Sequence, residues 1–439
     1  MKKILFTLTL MLIMMISYIT ITSYAIDPKY ETVKIGLFYS STAKSQITLS
    51  SEQSFEVGYM DSNKFISQYT FTEPNLTLAY GTSGQVIVNG VGTNVTNSSF
   101  ALKPVNGIVS VNGSNYRGGI EIIPDSNGTF TVVNFVNIND YIAGVVGKEM
   151  SPSWHIEALK SQAVCARSYT ITTWRKHSSN GFNLCSTQHC QAYLGMSGET
   201  ESTIRAASET RDQVVMYGQS VAETLYSSSS GGASAYSKNV WGSDVPYLTA
   251  VKDPYEAYVD NPKAHWEVDL SKSDIKNSLA KSSVDIGEIT DMKVTGADEY
   301  GRTYEVTIYG TSDKYVLKND RTRTFFGLNS QMYSIIPQGG EAVAQPLSVL
   351  SGTGQSTTDL FTLKGSKASG TMSDGFYIKS SGTTRHYVLQ SANPDSWLLS
   401  GSGWGHGLGM SQYGAKGMAE QGFGYKDILM FYFPGTYVQ

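Results

Sequence analysis

A glutamate at the end of an apolar run is the first candidate for chemistry in this 439-residue chain. Glu149 follows Val145 and Val146, and Met150 and Trp154 come after it. We expect Glu149 to stand just before a helix N-terminus, whose dipole favours an ionised carboxylate, whereas its apolar neighbours raise the pKa. A carboxyl group kept protonated near neutral pH can serve as a general acid. The alternative interpretation is a glutamate that only caps the helix.

The sequence after Glu149 predicts the clearest long helix of the chain. Ser151-Pro152 is a typical start signal, with a capping hydroxyl followed by proline. Spacings of three and four mark one apolar face, formed by Ile156, Leu159, Ala163, Ala166 and Thr170. Lys160 and Arg167 are seven residues apart and therefore share a face next to it. These cations could hold an anionic or acetamido-bearing ligand or pair with Glu149; a solvated charged stripe is the alternative.

A cluster of thiols and imidazoles follows the helix. The three cysteines of the chain, Cys165, Cys185 and Cys190, fall within 26 residues, with His177 and His189 beside them. Two thiols and nearby histidines can form a tetrahedral zinc site, but a Cys185–Cys190 disulfide is the alternative in an exported protein. Because His189 and Cys190 are adjacent, we expect them to share one ion with difficulty and His177 to be the better third ligand. The predicted cofactor is a structural zinc ion that holds the 177–190 loop near a cleft, with no organic cofactor.

A glycine-framed histidine near the C-terminus is the fourth candidate. Trp404 and His406 stand in a run in which Gly403, Gly405, Gly407 and Gly409 alternate with other residues, and Gln412-Tyr413 follow. Glycine lets the backbone approach a ligand closely. The segment therefore predicts a loop that brings backbone and aromatic surface against a ligand.

Composition limits the classes of function. The formal net charge is −4 and there is no basic cluster, which argues against a nucleic-acid partner. The 43 glycines and 28 tyrosines suit a β-rich extracellular protein that binds a carbohydrate-like polymer, although tyrosines half-buried in sheets would give the same count. Lys2 and Lys3, the apolar run over 4–21 and a small-residue site at Ala25 predict a signal peptide cleaved after Ala25 or retained as a membrane anchor. The mature protein is therefore predicted to be exported.

The predicted fold class is α+β, a β-rich core with one long catalytic-region helix plus an N-terminal accessory β region. The predicted divisions are 1–25 for the signal peptide or anchor, 26–104 for the accessory β region and 105–439 for the main domain. Strands are expected at 33–39, 85–89, 107–111, 130–136, 291–295 and 304–309, and β structure over 213–226. Shorter helices are expected at 201–209 and 272–281, and hairpins over 338–400.

Several separated motifs together resemble the sporulation stage II protein D and amidase-enhancer family, over about residues 105–437. The motifs are Asn139-Asp140-Tyr141 to Glu149-Met150, Glu157-Ala158-Leu159-Lys160 to Arg167-Ser168-Tyr169, Cys185 to His189-Cys190-Gln191, Ser229-Ser230-Gly231-Gly232, Pro246-Tyr247-Leu248, and Gly405-His406-Gly407 to Gln412-Tyr413-Gly414.

The resemblance implies a lytic transglycosylase that cleaves peptidoglycan glycan strands stripped of their stem peptides. It places the catalytic acid/base at Glu149 and the supporting cations at Lys160 and Arg167, and the zinc ligands at His177, Cys185, His189 and Cys190. It implies that Tyr169, Ser230, His406, Gln412 and Tyr413 contact the sugar. The expected partners are glycan strands and a cell-wall amidase or sporulation wall hydrolase. The alternative is a wall-binding module that stimulates an amidase without catalysis; a zinc peptidase is disfavoured because no His-Glu-x-x-His pattern is present.

Overall fold

A computed structural model describes residues 27–81, 85–93, 100–339 and 393–439, together with the backbone of short strands between 341 and 392. The chain forms two compact units. The first unit comprises the residues up to 148, residues 173–214 and Gln439, and the second comprises 149–172 and 215–438. The predicted signal peptide or anchor lies outside the described residues.

Eight α-helices occur in the described part of the chain: α1 Ile138–Glu149, α2 Ile156–Thr172, α3 Glu201–Glu209, α4 Ser237–Trp241, α5 Lys272–Lys281, α6 Arg321–Thr324, α7 Gln412–Glu420 and α8 Tyr425–Tyr432. The prediction of one long helix is confirmed by α2, which has 17 residues. The shorter helices predicted at 201–209 and 272–281 are confirmed as α3 and α5. No described helix combines the length and apolar character that crossing a membrane requires.

The start predicted for the long helix at Ser151-Pro152 is wrong. Helix α2 begins at Ile156, and Ser151 instead accepts a turn hydrogen bond from Trp154 N at 3.0 Å. His155 caps the helix, because its Nδ1 accepts the Glu157 amide at 3.3 Å.

Helix α1 was not predicted from the sequence. It contains Gly144 and Gly147, and glycine is a poor helix former. Both glycines are required by packing, since a Cβ on Gly144 would lie 3.0 Å from the Gly195 carbonyl oxygen and one on Gly147 only 1.8 Å from that of Gly198. The close approach of another backbone segment therefore outweighs helix propensity here.

The described residues of the first unit form thirteen strands: β1 Thr32–Phe38, β2 Gln46–Ser50, β3 Phe55–Asp61, β4 Lys64–Phe71, β5 Asn75–Tyr80, β6 Val86–Val88, β7 Val91–Gly92, β8 Phe100–Pro104, β9 Ile108–Val111, β10 Ser114–Arg117, β11 Gly119–Pro124, β12 Phe130–Asn137 and β13 Leu184–Cys185. One sheet has the order β13-β1-β12-β11-β8-β3-β4 and the other β10-β9-β2-β5-β6-β7. Strand β1 runs antiparallel to β12, and β8 runs antiparallel to β11. The predicted boundary at 104/105 therefore falls between strands that share a sheet.

The second unit holds the remaining strands: β14 Val215–Tyr217, β15 Ser220–Val221, β16 Tyr226–Ser227, β17 Trp266–Ser271, β18 Ile289–Ala297, β19 Thr303–Gly310, β20 Lys314–Lys318, β21 Tyr333–Gln338, β22 Glu341–Ala342, β23 Pro346–Ser351, β24 Gly354–Asp359, β25 Phe376–Ser380, β26 Thr383–Tyr387, β27 Ser391–Ala392, β28 Ser396–Gly401, β29 Met410–Ser411 and β30 Tyr437–Val438. The pairs β23–β24 and β25–β26 are antiparallel, in agreement with the predicted hairpins.

Sheets β17-β28-β21 and β18-β19-β20 contribute to one apolar core of the second unit. Trp397 and Ile308 are fully buried there, and Ile275 and Leu279 of α5 pack against them. The short parallel pair of β16 with β29 brings Tyr226 beside Met410 and Ser227 beside Ser411. This pairing holds the Ser/Gly-rich loop at 227–232 beside the glycine-framed loop at 403–409.

Candidate functional site

Glu149 is the last residue of helix α1 and is partly exposed. The prediction that it stands just before a helix N-terminus is wrong, since residues 150–155 separate it from α2. The C-terminal end of a helix carries a partial negative charge, which disfavours a carboxylate. Glu149 therefore lies at the negative end of a helix dipole, which is the opposite of the predicted placement.

The turn that follows Glu149 carries an aromatic contact. The rings of Trp154 and Tyr413 lie with their centroids 5.0 Å apart at 59°. Tyr413 stands in the first turn of α7, and its amide donates to the carbonyl of Ser228 at 3.0 Å. Both rings are partly exposed. Tyr413, which was predicted to contact the sugar, thus contacts the segment that follows Glu149.

The predicted cations of α2 are largely withdrawn from solvent. Arg167 is fully buried, and only 14% of the Lys160 side chain is exposed. The Lys160 ammonium lies 3.0 Å from Glu157 Oε1, while Glu157 Oε2 accepts the Tyr425 amide at 2.8 Å. Tyr169 is also buried, with 7% exposed. The interpretation of Lys160 and Arg167 as a solvated charged stripe does not agree with this burial.

Ser230, predicted to contact the sugar, belongs to a buried hydrogen-bond network. It is 1% exposed and its hydroxyl lies 3.3 Å from Asp253 Oδ2. In this conformation a substrate does not reach the hydroxyl. Ser230 instead connects the 227–232 loop to the buried carboxyl group of Asp253.

The centre of that network is Glu256, a residue the sequence reasoning missed. Its carboxylate accepts hydrogen bonds from the hydroxyls of Ser229 (2.6 Å) and Ser411, from the backbone amide of Ser230, and from Asn261 Nδ2 at 3.3 Å. Four donors from three chain segments therefore converge on one buried carboxylate, which satisfies its lone pairs. No local motif marks Glu256, because the donors come together only in the folded unit.

Asp253 lies beside Glu256 in the same network. Its Oδ2 accepts the Tyr432 hydroxyl at 2.6 Å, and its Oδ1 accepts the Tyr255 amide at 3.0 Å. Burial raises the pKa of Asp253 to about 6, and the Glu256 carboxylate adds to the rise. The network therefore contains a carboxyl group that titrates near neutral pH.

His406 lies in the glycine-framed loop and is partly exposed. Its Nδ1 accepts the Leu408 amide at 2.9 Å, which leaves Nε2 as the hydrogen-bond donor of the neutral ring. Desolvation of the ring by the surrounding protein, together with the positive charge of nearby Arg323, lowers the pKa of His406 to about 4. At neutral pH this side chain is therefore a neutral donor. Gln412, only 6% exposed, donates from Nε2 to Gln162 Oε1 of α2 at 3.3 Å.

The glycine at 407 is fixed by a buried arginine. Gly407 has φ +76°, and a Cβ there would lie 2.6 Å from Nη1 of Arg302. Arg302 is fully buried and donates from Nη2 to the carbonyls of Ser230 and Ala233, each at 2.7 Å. One guanidinium thus touches both loops, and a side chain at 407 would displace it.

The four predicted metal ligands come together in the first unit. One donor atom from each of His177, Cys185, His189 and Cys190 lies within 4.8 Å of the others. Nδ1 of His189 is 3.3 Å from Nε2 of His177, 3.6 Å from Cys185 Sγ and 3.7 Å from Cys190 Sγ. The expectation that His189 and Cys190 share one site with difficulty therefore does not agree with the geometry.

These separations match a tetrahedral zinc site. In tetrahedral coordination with Zn–N bonds of about 2.05 Å and Zn–S bonds of about 2.3 Å, two ligand nitrogens lie about 3.3 Å apart. A ligand nitrogen and a ligand sulfur lie about 3.6 Å apart. Cys185 and Cys190 are free thiols. The Cys190 side chain as hydrogen-bond donor lowers the pKa of Cys185 to about 3, and Thr187 adds to the effect. The third thiol, Cys165, is fully buried in the second unit, 3.9 Å from Met410 Sδ.

Comparison with known proteins shows what the chain is similar to. A profile of the stage II sporulation protein family matches residues 126–217, which include Glu149, Lys160, Arg167 and the four residues of the thiol and imidazole cluster. The chain is 30% identical to the amidase enhancer of Bacillus subtilis over 93% of its own length, but spans only 59% of that protein. It is 31% identical to an uncharacterised protein of Brachyspira hyodysenteriae, covering 73% of it, and 25% identical to stage II sporulation protein D of Bacillus subtilis, covering 75%. The chain belongs to the stage II sporulation protein D family.

Proposed function

We propose that the protein is a lytic transglycosylase that cleaves peptidoglycan glycan strands between N-acetylmuramic acid and N-acetylglucosamine. The observation that carries the proposal is the position of Glu149, a partly exposed carboxyl group at the C-terminal end of α1 within the family-matched segment. A carboxyl group that solvent reaches can donate a proton to a bound substrate and take one back.

The chemistry needs one carboxyl group. Protonated Glu149 donates its proton to the glycosidic oxygen, and the bond from that oxygen to C1 of the muramoyl residue breaks. The resulting carboxylate then takes the proton of the muramoyl C6 hydroxyl, whose oxygen bonds to C1 and closes a 1,6-anhydro ring. No water is consumed, so the second carboxylate that ordinary glycosidases use is not needed.

Several side chains of the second unit support sugar binding. Trp154 and Tyr413 offer partly exposed rings of the kind that pack against a pyranose face. His406 supplies a neutral Nε2–H donor at neutral pH. The ion pair of Lys160 and Glu157 on helix α2 is largely buried, so its charges are held in place.

The test is digestion of glycan strands from which an amidase has removed the stem peptides. We expect wild-type protein to release 1,6-anhydromuramoyl products and Glu149→Gln to release at least about a hundredfold less. Glu201→Gln, which removes an exposed glutamate at the start of α3, is the matched control and should match wild type. If wild type and Glu149→Gln release equal, negligible amounts, the enzyme proposal fails.

A non-catalytic role is the second candidate, because one relative bears the name amidase enhancer. In that case the protein binds the wall and stimulates an N-acetylmuramoyl-L-alanine amidase. Stem-peptide release by such an amidase would then rise equally with wild type and with Glu149→Gln, and no anhydro product would form. In either role we propose that the chain acts outside the cytoplasm at the cell wall, with its leader cleaved after Ala25 or retained as an anchor.

We further propose that His177, Cys185, His189 and Cys190 hold a structural zinc ion. The donor set supports this, since His189 Nδ1 stands at tetrahedral separations from the other three donor atoms and all four atoms lie within 4.8 Å of one another. Four protein ligands close the coordination sphere, which is typical of structural rather than catalytic zinc.

The zinc proposal is tested by metal analysis and thiol counting. We expect about one zinc per chain, lost in Cys185→Ala and kept in Cys165→Ala, which removes the thiol outside the cluster. After denaturation with a chelator, three thiols per chain should react, as the three cysteines require. A single reactive thiol would mean a Cys185–Cys190 disulfide and would overturn the proposal.

A further inference from the structure

An exposed tryptophan and a lysine form a pair at the edge of the glycine-framed loop. Trp404 is 41% exposed, and the ammonium of Lys263 lies 3.8 Å from the centroid of its indole ring. The two residues come from distant parts of the second unit. A cation this close to an indole face is held there by the electrostatic attraction of the ring.

The pair is built on the Glu256 network. Asn261 donates to Glu256 and to Ser229, and its Oδ1 accepts the Lys263 amide at 2.9 Å. Trp404 and Ser229 form an antiparallel β-bridge, in which the Trp404 amide donates to the Ser229 carbonyl at 2.9 Å and the Ser229 amide donates to the Trp404 carbonyl at 3.2 Å. The backbone of Lys263 and the backbone of Trp404 are therefore both anchored to the network, and the ammonium lies over the indole ring.

The pair is linked through backbone hydrogen bonds to the contact between Trp154 and Tyr413. Trp154 contacts Tyr413, and the Tyr413 amide binds the carbonyl of Ser228. The next residue, Ser229, bridges to Trp404. We call Trp154, Tyr413 and Trp404 the aromatic strip. A sugar chain that packs along it meets Lys263 at the Trp404 end.

Lys263 differs from the other lysines placed over rings near the strip. Lys160 is paired with Glu157 at 3.0 Å, and Lys416, over the Trp154 ring, lies 3.7 Å from Glu420. Within the described residues Lys263 makes no ion pair with a carboxylate. Its positive charge is thus left for a ligand.

We propose that Lys263 binds the free lactyl carboxylate of a muramoyl residue that has lost its stem peptide; this inference rests on the proposed function. Each muramoyl residue carries a lactyl group on O3, which ends in a carboxylate after the peptide is removed and in an uncharged amide while it is attached. An ammonium ion pairs with the first and not with the second. Lys263 is then a specificity-determining residue that selects denuded strands.

The test separates the charge on the protein from the charge on the glycan. Binding of soluble strand fragments is measured by calorimetry, with Glu149→Gln as background so that no turnover occurs. The fragments are denuded strands and the same strands with the lactyl carboxylates reduced to alcohols. On this background Lys263→Gln should weaken binding of denuded strands by about three- to tenfold and leave binding of the reduced strands unchanged. Lys263→Arg should retain most of the affinity.

Lys238→Gln is the matched control, because its ammonium also lies over a ring, that of Tyr236, at 5.0 Å. It should bind both ligands as the background does. Equal weakening for both ligands, or no weakening for either, would overturn the role of Lys263. An effect of Lys263→Gln seen only with a phosphate-bearing wall polymer would also overturn it. If the wild-type protein releases no anhydro products, the catalytic proposal is contradicted. The binding comparison still decides the role of Lys263 in that case.

Discussion

The hydroxyl of Ser411 donates to Oε1 of Glu256, 155 residues away in sequence. Ser411 also caps helix α7, since the Gly414 amide donates to its Oγ at 3.1 Å. One side chain therefore joins the start of α7 to the carboxylate that holds the 227–232 loop. The loops next to the aromatic strip are positioned by this buried network rather than by local turn chemistry.

Replacing Glu256 should destabilise the protein strongly. In Glu256→Ala, buried donors of Ser229, Ser230 and Ser411 lose their acceptor, and each unsatisfied group costs about 1–3 kcal/mol. We expect a loss of at least about 3 kcal/mol in the free energy of unfolding, measured with urea. Glu267→Ala is the control, because that side chain is 53% exposed and its contacts, with His265 and with the Ser400 hydroxyl, lie at the surface; it should change stability by less than about 1 kcal/mol. Equal effects of the two changes would mean that the network does not stabilise the fold.

Asp253 should give the protein a pH-dependent stability. Its folded pKa of about 6 lies above the ordinary value of 3.8, so between these values the folded state holds a proton that the unfolded state has released. Its contribution to stability is therefore full below about pH 4 and is lost as the pH rises through about 6, by at most about 3 kcal/mol. Relative to wild type, Asp253→Asn should become more stable between pH 4 and 7. A difference between the two proteins that stays constant with pH would contradict this.

Gly407 and Gly422 provide a matched pair for testing the contact with Arg302. Both have positive φ, +76° and +91°, but a Cβ at 422 meets nothing within 4 Å. Gly422→Ala should cost only the backbone strain of about 1 kcal/mol. Gly407→Ala should cost about 2–4 kcal/mol, because the buried guanidinium must also move. Equal changes in thermal stability would mean that Arg302 yields without cost.

His406 should stay neutral throughout the physiological range. Because its folded pKa is lowered to about 4 from 6.5, its contribution to stability is full above about pH 6.5 and is lost as the pH falls through about 4. Nitrogen NMR of labelled histidine should show the Nε2–H neutral form at pH 5 to 8. A titration midpoint near 6.5 for this ring would show that it is solvated, and His406 would then become a cation in mildly acid conditions.

The sequence by itself identified the main elements and nearly all of the candidate residues. The spacing of Ile156, Leu159 and Ala163 predicted α2, because one apolar face must recur every three to four residues. The spacing of Cys185 and Cys190 with the nearby histidines predicted a metal cluster, because thiols and imidazoles are the ligands zinc prefers. Both signals depend on residues close together in the sequence, and such patterns can be recognised without a structure.

Only the tertiary structure decided the rest. Gly144 and Gly147 argue against a helix locally, yet α1 forms because only glycine lets another backbone pack so closely, and this places Glu149 at a helix C-terminus. Glu256 looks like any surface glutamate until donors from two distant segments, 229–230 and 411, surround it. Such roles depend on contacts between residues far apart in sequence, and no spacing within the chain encodes them.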